Sequence, residues 1–553
     1  MDYGIHPSLL RKDLTERARP TFLILLATSG LVLLVVCANV ANLSLSRQLR
    51  REREMAIRAA LGASRSRLLR QMVTESTILS LIGGGLGILL AWWGLPPLIS
   101  FAERFTSRAH EISLDSHVLL FTLGVSLLTG VVFGSIPAAA SHMNLSAPLK
   151  EGSGNATAGV SRQRIRNVLV VAQVALSFAL LAGAGLMLRS FYNMTRVDPG
   201  FKPQNVVSLF IQLDWSRYKQ NSDFAAFDAQ LLEKINQNPA VLSAAVGRTY
   251  PLNETQPVTV RFQVDGRERG PGEPEPVFDL RSVTPGYFQT LGIPLDRGRY
   301  FTDGDSAKAP VVAIINRSMA RHYWGNGDPL GHRVTVNNGE DTITVVGIVG
   351  DVTQYWLDKP PVDELYLPLA QNPTNVASLL VRTKQDPTPL ICQLVAAVYA
   401  IDPDQPVVRI RTIEQVRQES LAPPRLMSTL LGCFALLALV ITAAGVAGVM
   451  GLAVSQRVKE IGIRMALGAT RADVLRMALG HRLLLVATGL AAGFALSVAG
   501  TRLMSGLLFR VQPNDPLTLV GVTLLFLAIG GAACYGAARR VTGVDPLTAL
   551  RSE

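Results

Sequence analysis

Seven stretches of this 553-residue chain are long and apolar enough to cross a lipid bilayer, which restricts the possible folds more than anything else in the sequence. They cover approximately 22–46, 77–101, 118–141, 167–188, 427–454, 483–501 and 517–538, and none contains Asp, Glu, Lys, Arg or His. A hydrocarbon core of about 30 Å needs about 20 helical residues. Within it every backbone N–H and C=O must be satisfied by the segment itself, so such runs are read as helices. The first run follows Arg11, Lys12, Arg17 and Arg19, as a signal peptide would. It is longer than a typical signal core and no small-residue cleavage site follows, so it is counted as a span. A mean hydropathy of +0.29 and a charged fraction of 17% agree with a polytopic chain.

Orientation follows from charge. Segments 47–76, 142–166, 456–482 and 539–553 carry net charges of +5, +3, +4 and +1, and alternation of the spans puts all four on one side. Opposite lies 189–425, with 24 basic and 26 acidic residues. The positive-inside rule makes the basic side cytoplasmic and exports 189–425. The N-terminal flank 1–21, at +1, is outweighed by the loop that follows the first span.

The exported region contains no spanning run. Val206–Ile211, Val258–Val264, Val311–Ile315 and Ile343–Val349 read as strands. Residues 222–237 and 387–400 read as amphipathic helices, with Phe224, Phe227, Leu231 and Ile235 at helical spacing. Gly-Pro punctuation at Thr284–Tyr287 and Asp328–Gly331 separates the elements. A compact α+β domain in two lobes is expected.

The chain also repeats itself. Lys459-Glu460-Ile461-Gly462-Ile463-Arg464-Met465-Ala466-Leu467-Gly468-Ala469-Thr470 echoes Arg53-Glu54-Met55-Ala56-Ile57-Arg58-Ala59-Ala60-Leu61-Gly62-Ala63-Ser64 at an offset of 406. A twelve-residue match between two apolar runs in each case is read as an internal duplication. In each copy a carboxylate stands four residues before an arginine, Glu54/Arg58 and Glu460/Arg464, on one helical face. Gly62 or Gly468 then ends a short helix in a left-handed turn, and Ser64 or Thr470 caps the next. These helix–turn–helix elements could be solvated loops, could lie on anionic headgroups, or could dock on a nucleotide-binding subunit. The duplicated detail beyond charge favours docking.

Other chemistries are excluded or unsupported. The basic loops lack the aromatic interleaving of a nucleic-acid surface, so no nucleic-acid partner is expected. Cys37, Cys392, Cys433 and Cys534 form no metal or disulfide spacing. His322 and His332 have no third ligand at metal spacing and read as structural or surface histidines. Asp303/Asp305 and Asp402/Asp404 read as turn chemistry. No G-x-S-x-G or H-E-x-x-H occurs, and no catalytic residue is assigned. Nor is there any Gly-Lys dipeptide, hence no phosphate-cradling P-loop; no cofactor is expected on this chain. Charge-free span centres disfavour an ion-coupled transporter. Asn39, Asn42 and Gln173 are expected to bond across helices, and Gly83, Gly84, Gly85, Gly87, Gly489 and Gly493 to allow close helix approach.

The two E-x-x-x-R-x-x-L-G-A-[ST] segments, together with Val283-Thr284-Pro285-Gly286-Tyr287-Phe288-Gln289-Thr290-Leu291-Gly292-Ile293-Pro294-Leu295, Arg297-Gly298-Arg299, Asp328-Pro329-Leu330-Gly331 and Val345–Val352, resemble the FtsX-like permeases with a MacB-like periplasmic core domain, of the duplicated orphan type. The resemblance covers nearly the whole chain. It implies a polytopic α-helical membrane protein of about seven transmembrane helices with one large α+β periplasmic domain, in the bacterial inner (plasma) membrane. It implies this division: 1–21, an external remnant of a missing periplasmic domain; 22–141, a first three-helix FtsX-like unit; 142–166, a cytoplasmic linker; 167–188, the helix opening the second unit; 189–425, the MacB-like core; 426–538, a second three-helix unit; and 539–553, a cytoplasmic tail. A duplicated member would carry eight spans and two exported domains. Here Leu10–Asp13, shifted by 406, fall on Val416–Glu419, so the chain is expected to start inside a unit, apparently truncated. The resemblance further implies that a separate cytoplasmic ABC ATPase, using ATP, acts on Glu54, Arg58, Gly62, Ser64, Glu460, Arg464, Gly468 and Thr470. Membrane lipids, a periplasmic adaptor or a second permease complete the implied partners. The alternative function is a non-transporting envelope scaffold or sensor that binds a protein through its exported domain.

The charge partition predicts the topology. Reporters active in the periplasm should be active when fused near Gly270 and silent near Arg65 or at the C-terminus; activity at Arg65 would invert the arrangement.

Overall fold

The long apolar runs become helices that continue well past the apolar residues. A computed structural model of the protein describes residues 18–60, 64–103, 112–141, 156–253, 258–264, 276–336, 341–455, 471–503, 506 and 508–542. The 1–17 stretch, most of the 142–166 linker and most of the 539–553 tail lie outside them. The chain divides into a helical unit, Met1–Asn193 with Pro424–Glu553, and an α+β unit, Met194–Pro423.

The helical unit opens with α1 (Ala18–Ala60), α2 (Arg65–Ala102), α3 (Ser116–Ser141) and α4 (Ala156–Thr195). Apolar segments of spanning length cover Thr21–Ser44 in α1, Arg70–Ser100 in α2 and Gln163–Thr195 in α4. In α1 no Gly or Pro occurs between Gly30 and Gly62, so nothing stops the helix where apolar residues give way to Arg-rich ones. At 1.5 Å per residue, the 16 residues after Ser44 extend α1 by roughly 24 Å beyond its apolar part. The short first helix expected at 53–60 is therefore the end of one 43-residue rod.

Strands and helices then alternate irregularly through the α+β unit. In order they are β1 (Val206–Gln212), α5 (Asn221–Asn236), β2 (Val241–Gly247), β3 (Thr259–Val264), β4 (Val277–Val283), α6 (Tyr287–Leu291), β5 (Leu295–Gly298), β6 (Val312–Asn316), α7 (Arg317–Trp324), β7 (Arg333–Val336), β8 (Asp341–Val349), β9 (Glu364–Pro368), β10 (Val376–Thr383), α8 (Ile391–Tyr399), β11 (Val407–Thr412) and α9 (Ile413–Ser420). The strands join in the order β11-β1-β10-β2-β4-β3-β7-β8-β6-β9, with β5 beside β8 and β9 returning to pair with β4.

Two cores result. In the first, Val207, Leu209 and Ile211 of β1 and Ala377, Leu379 and Val381 of β10 point alternately to one face, where α5 and α8 cover them with Phe224, Phe227, Leu231, Leu394 and Val398. In the second, β4-β3-β7-β8-β6-β9 close into a ring around Phe262, Phe278, Ile315, Val334, Val345 and Leu365. A single residue pair, Gly247 with Val283, joins β2 to β4 between the two.

Ring closure rests on the parallel β4–β9 pairing and a buried ion pair across it. Arg281 Nε donates to Glu364 Oε1 at 2.6 Å, and Tyr366 donates its hydroxyl to Glu364 Oε2 at 2.8 Å. Tyr355 donates to Asp279 beside them. Burial raises the Glu364 carboxyl above the ordinary range against the opposing pull of Arg281. Removing one partner of such a pair strands a buried charge, at a cost of roughly 3–5 kcal/mol.

The glycines of the exported-domain motifs are explained by local geometry. Gly298 adopts a left-handed φ of 81° where β5 passes β8. A side chain on Gly347 would collide with the Arg299 carbonyl. Arg299 in turn binds Asp305 through both guanidinium nitrogens, at 2.7 and 2.8 Å, and Asp305 accepts from the Thr302 N–H. Asp402 accepts from the Asp404 N–H and from Arg217 and Tyr218, so both acidic pairs do serve turns. His322 pairs with Asp363 at 2.8 Å, and no metal-holding cluster occurs among the described residues.

The chain leaves this unit through α10 (Ala422–Ser455) and ends with α11 (Arg471–Leu503) and α12 (Pro516–Thr542). Spanning-length apolar segments cover Ala422–Gly448 and Leu484–Arg502, and shorter ones Ser116–Val132 of α3 and Pro516–Ala532 of α12.

One buried carboxylate gives the α+β unit a pH dependence. Asp228 of α5 lies on the same stripe as Phe224, Phe227 and Leu231, and its Oδ1 has no hydrogen-bond partner among the described residues. Burial pushes its carboxyl up to about 7. The unfolded group ionises near 3.9. Between these values the folded chain holds a proton that the unfolded chain has lost, so stability falls as pH rises from about 4 to about 7 and is level above. Asp228→Asn should therefore stabilise the unit at pH 8, by at most roughly 4 kcal/mol, and hardly at all at pH 4. Denaturant unfolding of the full chain in detergent, followed through Trp215 against α5, measures this.

Candidate functional site

In the first of the two candidate turns, Glu54 and Arg58 lie four residues apart within α1. Ser64 stands at the N-cap of α2 with extended φ/ψ of −66° and 148°. Its backbone carbonyl accepts from the Arg67 N–H at 3.0 Å. Its hydroxyl does not cap the helix and sits 3.2 Å from the Ser66 hydroxyl instead, so the cap expected from sequence is one of backbone geometry only. Gly62, Glu460, Arg464, Gly468 and Thr470 lie outside the described residues. The second helix of each hairpin is not a separate short element: α2 and α11 begin at Arg65 and Arg471 and run on into spans.

From these turns the helices lead to a polar seam inside the helical unit. Its axis is α4. Gln173 and Ser177, one turn apart and both fully buried, face α10. Gln173 Nε2 donates to the Ile441 carbonyl at 3.3 Å, and Ser177 Oγ lies 2.5 Å from Thr442 Oγ1. Farther along, Ser428 of α10 donates to the Met187 carbonyl at 3.2 Å. Apolar layers fill the intervals: Ala184 and Met187 against Met427 and Leu431, Leu180 against Ala438, and Val170 against Val446. Antiparallel α4 and α10 are thus in contact from Val170 beside Val446 to Met187 beside Met427.

Gly445 makes the closest approach possible. A Cβ there would lie 2.6 Å from Asn39 Oδ1 of α1 and 2.7 Å from Gln173 Nε2 of α4, so the amide ends of two other helices' side chains crowd this glycine. Asn39 and Gly445 are 406 residues apart, the offset of the duplication. Val32 and Ala438, which share an apolar cluster, are also 406 apart. The opening helices of the two repeats therefore meet at equivalent positions, as across a local two-fold axis.

At its other end α4 is fastened to the start of α12. Arg189 forms an ion pair with Asp515, and Asp515 caps α12 by accepting from the Thr518 N–H at 2.9 Å. Ser190 Oγ accepts from the Phe509 N–H at 2.8 Å, and Asn193 donates to the Arg510 carbonyl at 3.2 Å.

Asn39 and Gln173 were visible in the sequence as polar residues in spans, and Gln173 does bond across helices. Ser177, Thr442, Gly445, Arg189 and Asp515 were not singled out. Ser177 had a signal, since it stands four residues after Gln173 and so shares its face. Arg166, buried at the Arg-rich start of α4 with Nε and Nη2 lacking partners among the described residues, had none.

The protein-family comparisons agree with this architecture. The model described as MacB-like periplasmic core domain matches residues 168–394, and that described as FtsX-like permease C-terminal matches 26–145 and again 432–546. Among curated relatives, the uncharacterized ABC transporter permease YknZ of Bacillus subtilis is 25% identical over 281 residues, covering 50% of this chain and 70% of that one. The pyoverdine export ATP-binding/permease protein PvdT of Pseudomonas aeruginosa is 26% identical over 279 residues, 48% of this chain and 41% of its own length. A macrolide export ATP-binding/permease protein MacB of Sodalis glossinidius is 24% identical over 421 residues, 73% of this chain and 61% of that protein. The periplasmic region of MacB from Actinobacillus actinomycetemcomitans aligns with 41% of this chain and 96% of its own, at 16% identity and a TM-score of 0.29.

The seam predicts a helix-specific rescue. Gly445→Ala should loosen the helical unit, read as a lower thermal midpoint in detergent, because its Cβ meets Asn39 and Gln173. Adding Asn39→Ala should recover part of the loss. No recovery would mean that the contact with Gln173 alone sets the cost.

Proposed function

Because the chain belongs to the FtsX-like permeases that carry a MacB-like periplasmic core domain, we propose that it is the permease subunit of an ABC-type system, driven by a separate cytoplasmic ATPase. The ATPase engages the two turns around Gly62 and Gly468. Its ATP-dependent movement passes along the helices to the periplasmic domain, for export or for mechanical work on envelope partners. The chain's own residues bind no nucleotide.

The observation that supports this best is helical continuity. In the first repeat the segment Arg53–Ala60 is one end of α1, whose apolar part follows without a break, and Arg65 begins the helix that returns. A push on a free loop is absorbed by the loop, whereas a push on the end of a helix moves the helix. The α+β unit is entered directly from α4 and left directly into α10, the two helices held together by the polar seam. A permease is not itself an enzyme. The absence of any Gly-Lys dipeptide supports assigning ATP to a partner.

The test uses the full chain reconstituted with its ATPase. Substituting the Glu460/Arg464 pair should matter little, since an exposed i, i+4 pair contributes about 0.2–0.5 kcal/mol. Gly62→Val and Gly468→Val should leave membrane insertion intact while uncoupling ATP hydrolysis from movement of 189–425. Normal coupling in both variants, with no crosslink between these turns and the ATPase, would overturn the assignment. ATPase activity indifferent to any translocated molecule would favour the envelope scaffold instead.

A further inference from the structure

The chain leaves α4 at Thr195 and next forms β1, a strand of the first core. Between the two it turns against the ring. The Gly200 N–H donates to Asp198 Oδ1 at 3.0 Å and closes the turn. The Pro199 carbonyl accepts from the Thr353 N–H at 2.9 Å, and Pro199 and Phe201 are buried. Gly200 has a left-handed φ of 82°, and a Cβ on it would overlap the Asp351 carbonyl and lie 3.1 Å from Val352 Cα. A side chain is thus excluded twice, by backbone conformation and by space.

The segment that receives this turn is held on several sides. Gly350–Gln354 continues β8 past its end at Val349. The Gly350 N–H donates to the Pro294 carbonyl at 2.9 Å, and the Gln354 carbonyl accepts from the Leu252 N–H at 2.8 Å. Asp351 Oδ1 accepts from the Ser318 N–H, in the first turn of α7, at 2.7 Å. Val352, Thr353 and Gln354 are buried although they belong to no helix or strand. A displacement at Asp351 therefore passes to β8 and α7, which pack into the ring core through Val345, Ile348, Met319 and Ala320.

The rest of the loop is tied to other elements. The Lys202 N–H donates to the Leu291 carbonyl, at the end of α6, at 2.7 Å. Arg382 of β10 donates to the carbonyls of Lys202, Gln204 and Thr290 at 2.7, 2.9 and 2.7 Å. On the way out, α9 packs on β1 and β11 with Ile413 and Val416 buried, so α10 is reached from the lobe of the first core.

We infer that the Pro199–Phe201 turn is the drive point at which movement of α4 is delivered directly to the ring, and that Gly200 is its positioning residue. This rests on the proposed reading that α4 carries movement. The contact joins two backbones, which cannot yield by changing rotamer, whereas Arg382 holds the loop to β10 through a flexible side chain. Other routes from β1 to the ring are weaker. Along the sheet β2 and β4 share only the pair Gly247–Val283, and the packing of Tyr287 and Phe288 on Tyr366 is side chain on side chain.

The test uses the full chain with its ATPase in lipid nanodiscs. Cys433 of α10 carries one spin label; the second is on Lys308→Cys for the ring or on Cys392 of α8 for the first lobe, with the other cysteines changed to serine. ATP should change both distances in the parent. Gly200→Ala should abolish the ring change and leave the first-lobe change and the ATPase rate as they were. Gly331→Ala is the control: its φ is 78° but nothing lies within 4 Å, so it strains the backbone without touching a neighbour and should leave both changes intact. Asp198→Ala, which only removes the bond that closes the turn, should reduce the ring change in part. Without ATP, the amides of 351–354 should exchange hydrogen about tenfold faster in Gly200→Ala while those of β1 and β8 stay protected; should β1 or β8 lose protection, Asp198→Ala decides. A ring change that survives these substitutions, or the loss of both changes together, overturns the inference and leaves the ATPase reading standing. If neither distance responds to ATP in the parent, the inference and that reading fall together.

Discussion

Between helices in a bilayer the hydrophobic effect gives little, since lipid tails are as apolar as leucine; association rests on close backbone approach and on polar groups that meet. In this chain both are concentrated on α4. Gly489 and Gly493 let α11 lie against Val174 and Phe178, Gly445 admits the amides of Asn39 and Gln173, and Ser177 meets Thr442. Arg189 fixes the far end of α4 to α12. Half of the most apolar window of α4 is buried, against none of that of α2. The difference lies less in composition than in the presence of a partner, because α2 carries the same paired glycines as α11.

The duplication has not produced two identical halves, and the seam shows why identity would not work. At the shared position of α1 and α10 one repeat has Asn39 and the other Gly445. A second asparagine at this site would have to displace the amide ends of Asn39 and Gln173. One of each fills it. Val32 opposite Ala438, a large residue against a small one at equivalent positions, follows the same logic. Interdigitation of this kind keeps a near-symmetric helix pair in a single register.

What could be read from the sequence was whatever local pattern decides. The seven apolar runs, the α5 stripe Phe224–Phe227–Leu231–Ile235 and the alternation in β1 each fix an element without reference to the rest of the chain. Asp228 was readable too, since a residue four beyond Phe224 and three before Leu231 must share their buried face. Three features were not. Closing of the ring by β4 and β9 is a parallel pairing between residues 85 apart, and nothing in Val277–Val283 marks its neighbour. The Arg281–Glu364 ion pair depends on that register and was equally invisible. Helix ends misled in the opposite direction. A change from apolar to charged residues after Ser46 suggested a boundary, but helix propensity takes no account of where the membrane ends, and α1 continues to Ala60.

The candidate coupling site sits where these two levels meet. Leu-Gly-Ala-Ser was recognisable as a turn from its residues, and Ser64 indeed begins a helix with extended backbone. What the motif could not reveal was the length of helix attached to it. A turn between two short surface helices can tilt without consequence. A turn between the 43 residues of α1 and the 38 of α2 is a lever end, because rotating either helix about its middle displaces its tip and its far end together. That α4 and α10, which lead into and out of the α+β unit, are hydrogen-bonded at Gln173–Ile441 and Ser428–Met187 limits how they can respond. Sliding one along the other would break both bonds; Ser428 keeps its bond to the Pro424 carbonyl at 2.7 Å, but Gln173 would lose its partner inside an apolar medium, where an unsatisfied polar group costs several kcal/mol. Tilting them as a pair breaks neither. Under the proposed reading, the polar seam thus restricts the permease to movements that carry α4 and α10 together.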